Sequence, residues 1–193
     1  LTEVGLPERV ARQYPFNLSG GMRQRAALAA SLAPDPTVLI GDEPTTALDV
    51  TTQREVLDLL GGICADGARG RVLITHDLGV AEERATRVQV MYAGRLMEGG
   101  PRERVLTAPR HPYTAALRDC DPPLDRRVER LPAIPGSAPR PWDVTRGCAF
   151  AARCALADDH CRDQEPPLVA DPDPVRCWKP LAAGTDPTPL SPA

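Results

Sequence analysis

Two continuous apolar runs organise the first half of the chain. Thr37-Val38-Leu39-Ile40 is fenced by Pro34 and Pro36 on one side and by Gly41-Asp42-Glu43-Pro44 on the other. A run of this kind, with no polar alternation, predicts a strand buried on both faces of a parallel sheet. Val72-Leu73-Ile74-Thr75 repeats it and ends in His76-Asp77. Between the two, Val56, Leu59, Leu60 and Ile63 recur at helical spacing over residues 50–64, with Gly61-Gly62 weakening the end. Strand, helix, strand predicts a right-handed parallel crossover, and open α/β sheets carry their site groups at the carboxyl ends of such strands.

The remaining periods fill in around that unit. Residues 6–13 predict a short helix opened by Pro7 and closed by Tyr14-Pro15-Phe16, and a second helix runs from Gly21 to about Ala33 before Pro34 stops it. A helix over 78–87 follows, then Val88–Tyr92 and Arg95–Glu98 flank Ala93-Gly94 as a hairpin, with helices at 102–107 and 113–119. From Asp121 onward Pro122, Pro123, Pro132, Pro135, Pro139 and Pro141 break every period, which predicts a linker or loop-rich extension. The last residues, from about 181 to 193, read as a disordered tail.

Composition narrows the function. With 193 residues and 42% hydrophobic content the chain can bury a core, while a formal charge of -3 and 4% aromatics argue against a nucleic-acid binder. No run reaches the roughly 18 to 20 apolar residues needed to cross a bilayer, and no secretory signal pattern opens the chain, so it reads as cytoplasmic. It starts at Leu1 inside a helical pattern without an initiator methionine, which reads as a fragment.

Four groups of residues carry candidate chemistry. Ser19-Gly20-Gly21 pairs a helix-capping serine with two glycines that leave backbone N–H groups bare, with Arg23 and Arg25 one turn on, a pattern suited to an anion as well as to a plain turn. Asp42 and Glu43 sit at the mouth of the first strand, where paired carboxylates serve Mg²⁺ binding and water activation or are merely a solvated turn. His76 leaves the second strand and can donate a hydrogen bond to a phosphate or be structural. Cys148, Cys154, Cys161 and Cys177 crowd into the extension, while Cys64 and Cys120 lie in helical contexts. Clustered cysteines in a cytoplasmic chain point to metal, although the gaps of 5, 6 and 15 residues fit neither the usual zinc pairs nor ferredoxin runs.

Taken together these motifs resemble one family. Leu18-Ser19-Gly20-Gly21-Met22-Arg23-Gln24-Arg25 resembles the signature of ATP-binding cassette (ABC) proteins, Thr37 to Pro44 their Walker B strand, Ala47-Leu48-Asp49 their D-loop, and Ile74-Thr75-His76-Asp77 their switch histidine. Met22, the phrase Asp42-Glu43-Pro44-Thr45-Thr46-Ala47-Leu48-Asp49-Val50-Thr51, Val90 to Arg95 and His111-Pro112-Tyr113-Thr114-Ala115-Ala116-Leu117 resemble the ATPase subunits of dipeptide and oligopeptide importers. The resemblance implies an α/β fold, the C-terminal half of a P-loop NTPase with parallel strands and flanking helices. It implies a partial nucleotide-binding domain over 1–108 and a Cys-containing extension over 109–180.

The resemblance also implies a shared site, ATP and Mg²⁺ as cofactors, and a head-to-tail pair of cassettes. Ser19, Gly20 and Gly21 would meet the partner's γ-phosphate, while Asp42, Glu43 and His76 would serve Mg²⁺, water activation and phosphate contact, and Asp49 the dimer interface. Implied partners are a second ATPase subunit, transmembrane permease subunits and, indirectly, a substrate-binding protein. The implied place is the inner face of a bacterial cell membrane. Gly147-Cys148-Ala149-Phe150, Arg153-Cys154 and Arg176-Cys177-Trp178 resemble the extension in which some members bind a 4Fe–4S cluster, with zinc or free thiols as alternatives. The sequence departs from the family in one respect: its single lysine, Lys179, precedes Pro180, so it holds no Gly-x-x-x-x-Gly-Lys-Ser/Thr loop. The expectation is a truncated piece, inactive alone, of an ATPase subunit powering peptide import. Two rival readings are a non-catalytic remnant with a metal-binding or docking extension and a non-transport cassette ATPase.

Overall fold

A computed structural model of the chain describes residues 1–65, 67–121, 132–170 and 173–182. It divides into two compact units, Leu1–Val80 and Ala81–Ala193. In the first, helix α1 covers Gly20–Leu32, strand β1 Val38–Asp42, helix α2 Val50–Ile63 and strand β2 Gly70–Ile74. β1 and β2 pair in parallel, from Val38 opposite Gly70 to Asp42 opposite Ile74, with α2 as the crossover between them. The expected α/β arrangement of parallel strands and flanking helices is therefore present. Gly61 and Gly62 fall inside α2, whose apolar face buries Val56, Leu57 and Leu60 and so outweighs their poor helix propensity.

A core of Val4, Leu6, Val10, Leu18, Leu28, Leu32, Leu39, Val56 and Leu60 joins the leading segment to both helices and β1. Residues 8–12 form a 3₁₀ segment rather than the expected α-helix, with Pro7 as its N-cap. The expectation of a sheet buried on both faces does not hold. Val38, Ile40, Val72 and Ile74 are 52%, 65%, 47% and 48% exposed, while the alternate residue Leu39 is buried. The sheet has two strands, and among the described residues no layer covers the second face.

Helix α3, Leu78–Arg84, is shorter than expected and spans the division between the units. The second unit opens with the antiparallel pair β3, Arg87–Tyr92, and β4, Arg95–Pro101, with a bulge between Val90 and Met91. Ala93 and Gly94 both have positive φ, 47° and 77°, as a two-residue hairpin turn matched to strand twist requires. Helices α4, Arg102–Thr107, and α5, Pro112–Asp119, follow, and the extension adds a short α6, Asp159–Asp163. Its core is aromatic: Tyr92, Tyr113 and Phe150 meet pairwise with ring centroids 4.6 to 5.4 Å apart. The linker expected around Pro122 and Pro123 lies outside the described residues. So does the expected tail from 183 on, while Leu181 donates its N–H to the Arg110 carbonyl at 2.8 Å.

Candidate functional site

Ser19 caps α1, its hydroxyl oxygen accepting from the Met22 N–H at 3.3 Å. The Arg23 N–H bonds to the Ser19 carbonyl, so the amides of Gly20 and Gly21 are left without a partner among the described residues. Two open amides at a helix N-terminus, beside a hydroxyl whose proton is free to donate, can receive an anion. Gly21 has a second duty that the sequence did not announce. A Cβ there would strike the Thr52 side chain at 2.5 Å, so glycine lets the starts of α1 and α2 close on each other.

Asp49 caps α2 through the same threonine: Oδ1 accepts from the Thr52 N–H at 3.0 Å and Oδ2 from its hydroxyl at 2.7 Å. Those bonds hold the Asp49 carboxyl below the usual aspartate range, the backbone bond from Thr52 contributing most. The arginines expected to keep this end positive are engaged elsewhere. Arg23 bonds to the Leu18 carbonyl at 2.9 Å and Arg25 pairs with Glu55 at 2.7 Å.

At the carboxyl ends of β1 and β2 the structure brings Glu43 and His76 together. Oε1 of Glu43 accepts from the His76 backbone N–H at 3.0 Å and meets its Nδ1 at 2.7 Å, while Oε2 accepts from the Thr46 hydroxyl at 3.1 Å. Glu43 sits at φ 46°, and its N–H donates to the Ile74 carbonyl, fixing the loop across the strand pair. The mutual bond lowers the Glu43 carboxyl and raises the His76 imidazole from their ordinary values. Asp42 is exposed at the end of β1, and its carboxylate has no partner among the described residues. Such a group is free to meet a hydrated cation. Gly21 and Asp49 thus meet at Thr52, while Glu43 and His76 are bonded to each other at the strand ends, next in sequence to Asp42.

The four cysteines of the extension line one small cavity of ≈ 20 Å³ together with His111, Phe150, Leu156 and Trp178. Gly147, at φ 69°, turns the chain into Cys148, and a Cβ there would collide with the Arg162 backbone. The Cys148 N–H then donates to the Cys161 carbonyl at 2.8 Å. Burial pushes the Cys148, Cys154 and Cys177 thiols up, the last to about 11. Backbone N–H groups of Phe150 and Ala151 favour the Cys148 thiolate, those of Leu156 and Ala157 favour Cys154, and the Lys179 N–H donates to Cys177 Sγ at 3.3 Å. Among the described residues no three His, Cys, Asp or Glu side chains are close enough to hold a single ion, and all six cysteines are free thiols.

His111, which opens the heptad resembling the importers' extension and was given no site role, is fully buried and lines this cavity. Its Nδ1 accepts from the Tyr113 N–H at 3.0 Å and caps α5, so the neutral ring carries its proton on Nε2. Burial lowers it to about 4. Glu98, 0% exposed on β4, accepts from the N–H groups of Arg110 and His111 and pairs with Arg104 at 2.8 Å. A glutamate before Gly99-Gly100 in an imperfect strand pattern was the one available signal for it.

Comparison with known proteins follows this geometry. Residues 1–46 match the model of the ABC transporter family, and residues 97–161 match that of the oligopeptide/dipeptide transporter C-terminal region. A Brucella ovis protein, carried under a provisional name as a peptide import ATP-binding protein, is 48% identical over 95% of this chain and 58% of its own length. The oligopeptide transport ATP-binding protein AppD of Bacillus subtilis is 44% identical over 89% of this chain and 53% of its own. The chain thus spans between half and three fifths of the length of these relatives. A solved structure of cbiO1 from Clostridium perfringens, part of an ABC transporter complex, is 31% identical over 54% of this chain and 41% of that one, with a TM-score of 0.49.

The capped Ser-Gly-Gly helix and the acidic end of β1 lie inside the segment that matches the ABC transporter family. In both matched segments, and over most of its length, the chain is similar to peptide import and oligopeptide transport ATP-binding proteins.

Proposed function

We propose that these residues act within an ATP-hydrolysing subunit that powers import of dipeptides or oligopeptides across a bacterial cell membrane. The observation that carries it is the Glu43–His76 pair at the ends of two parallel strands, beside the unpartnered Asp42. In this reading Asp42 would hold Mg²⁺, which would supply charge neutralisation, and Glu43 orients the attacking water. The His76 ring, anchored by Nδ1, leaves Nε2 for the γ-phosphate. Water attacks γ-phosphorus, the bond to the β-γ bridging oxygen breaks, and ADP and phosphate leave.

Ser19 with the amides of Gly20 and Gly21 takes the γ-phosphate of the nucleotide bound by a second cassette, and Asp49 lines that head-to-tail interface. Residues 1–108 belong to the nucleotide-binding domain and 109–180 to the extension. The partners are permease subunits and, through them, a substrate-binding protein. Among the described residues no helix is long and apolar enough to span a membrane, and the proposed place is peripheral, on the cytoplasmic face. The match over residues 97–161 favours this reading over a non-transport cassette.

The test compares the 193-residue chain with its Brucella-type full-length counterpart, each beside a Glu43→Gln variant. Magnesium-dependent ATPase should appear in the longer protein, vanish with Glu43→Gln, and be absent from the 193 residues alone. Activity that survives Glu43→Gln removes the assignment.

We propose a 4Fe–4S cluster, rather than a single zinc ion, as the group this cavity would hold. What supports it is that four thiols line one space and three of their sulfurs receive backbone N–H groups, as thiolate ligands of such a cluster require. Cys148, Cys154, Cys161 and Cys177 would hold it, and it would cross-link an extension with little regular structure while offering a one-electron centre. Iron analysis and visible absorbance of anaerobically prepared protein decide it.

A further inference from the structure

Lys179, the one lysine in the chain, stands at the rim of the cysteine cavity. Its ammonium pairs with Asp158 Oδ2 at 2.7 Å and reaches the Leu156 carbonyl at 3.4 Å, while its own N–H bonds to Cys177 Sγ. Asp158 Oδ1 in turn accepts from the Cys161 N–H at 2.9 Å and caps α6. One ion pair therefore reaches the segments of three cysteines: Cys154 two residues before Leu156, Cys161 through the cap, and Cys177 two residues before Lys179. Trp178 reinforces it, packing on the His160 ring at 4.5 Å and donating from Nε1 to the Gln164 carbonyl at 3.0 Å.

Both charged side chains are about half exposed, 48% and 46%, so the pair adds little to the stability of the empty chain. Its value lies in where its charge is fixed. Four thiolates around an iron–sulfur core are net anionic, and a cation held at the mouth of an apolar cavity acts on them through less solvent than a free surface charge does. Cluster potential responds to net charge, hydrogen bonds to sulfur and solvent access, and Lys179 touches all three.

We infer that the Asp158–Lys179 pair is the clasp of this site: it closes the Cys177 segment over the cavity, and its ammonium makes the bound cluster easier to reduce. The inference rests on the cofactor reading given above. Reduction by dithionite adds one electron and one negative charge, with no bond or proton exchanged, and the ammonium stabilises that added charge. Asp158 keeps the ammonium in place, so the two residues are positioning groups rather than ligands.

The experiment reconstitutes the full 193-residue chain anaerobically with ferrous iron and sulfide and measures iron content, midpoint potential and bleaching in air. Lys179→Met should take up iron to the level of the unaltered chain, shift the midpoint potential negative, and bleach several-fold faster. Lys179→Arg should restore the potential. Asp158→Asn should bleach faster but without the negative shift, because the ammonium remains and a nearby negative charge is gone. An unchanged potential in Lys179→Met with normal iron content overturns this inference alone. Loss of iron from Lys179→Met that Lys179→Arg does not restore also overturns it, since the side chain then acts by packing. An unaltered chain that takes up no iron overturns the cofactor reading and the clasp with it.

Discussion

In the first unit the groups of chemical interest lie shallow. Ser19, Asp42 and Asp49 are exposed, and they are held by bonds to residues three or fewer positions away or left open. In the second unit Glu98, His111 and Asp173 are buried; Arg104 bridges Glu98 and the distant Asp173, Glu98 also takes the Arg110 and His111 N–H groups, and the His111 ring takes the Tyr113 N–H. The difference separates two kinds of polar group. The exposed groups keep access to water with local support or none, while the desolvated ones knit irregular backbone together and are largely bonded, with His111 Nε2 left without a partner among the described residues.

The strongest test of that contrast is Glu98→Gln. The amide keeps the shape but loses one acceptor, so the Arg110 and His111 N–H groups and the Arg104 guanidinium compete for one oxygen. Breaking a buried pair on one side costs about 3–5 kcal/mol, and a value toward the lower end is expected because Arg104 keeps Asp173. Both tryptophans, Trp142 and Trp178, lie in the second unit, so urea unfolding followed by their fluorescence reads it directly. A loss below about 1 kcal/mol, the net worth of an ordinary hydrogen bond, would erase the contrast.

The next test stays within β1. Leu39→Ala should cost about 2–4 kcal/mol as a core truncation, and Ile40→Ser, one residue on, less than about 0.5 kcal/mol as a surface change. Circular dichroism during urea unfolding measures both. Equal costs would mean that the second sheet face is covered in solution.

These strands also show where sequence reading reached and where it stopped. Val38-Leu39-Ile40 gave the strand and its parallel partner, because a continuous apolar run is a property of the segment itself. It gave the wrong burial, since burial depends on what packs above, and a two-stranded sheet exposes one face. Ser19, Glu43 and His76 stood out through family-like motifs, and the four cysteines through their crowding in the extension, since their spacing matched no ligand pattern. That Gly21 is needed for Thr52, that Glu98 is buried, and that Lys179 meets Asp158 all depend on contacts between segments distant in sequence. No local period encodes such contacts.

A third test uses pH on the second unit. Burial holds His111 neutral, near 4 when folded against about 6.5 when unfolded. Between those values the unfolded chain binds a proton that the folded chain refuses. Stability present in full above about 6.5 is therefore lost as pH falls toward 4, by up to about 3 kcal/mol. His111→Asn can still accept from the Tyr113 N–H and should flatten this part of the profile. Identical acid profiles for the two proteins would show that His111 is solvated.

The smallest expected change in stability is at Ser19, and it separates support from function most cleanly. Ser19→Ala removes an exposed cap of 3.3 Å and should cost about 0.5–1 kcal/mol. Ser19→Asp should cost almost nothing, because a carboxylate accepts from the Met22 N–H as well as a hydroxyl does and suits the positive end of α1. The same carboxylate has no proton to donate and repels a phosphate. In the longer protein Ser19→Asp should therefore abolish ATP-dependent pairing of cassettes, read by sedimentation with Glu43→Gln to hold the nucleotide, while unfolding is unchanged. If pairing survives, the hydroxyl at the head of α1 is a helix cap and nothing more, and the first unit's shallow groups are built on the same structural logic as the second unit's buried ones.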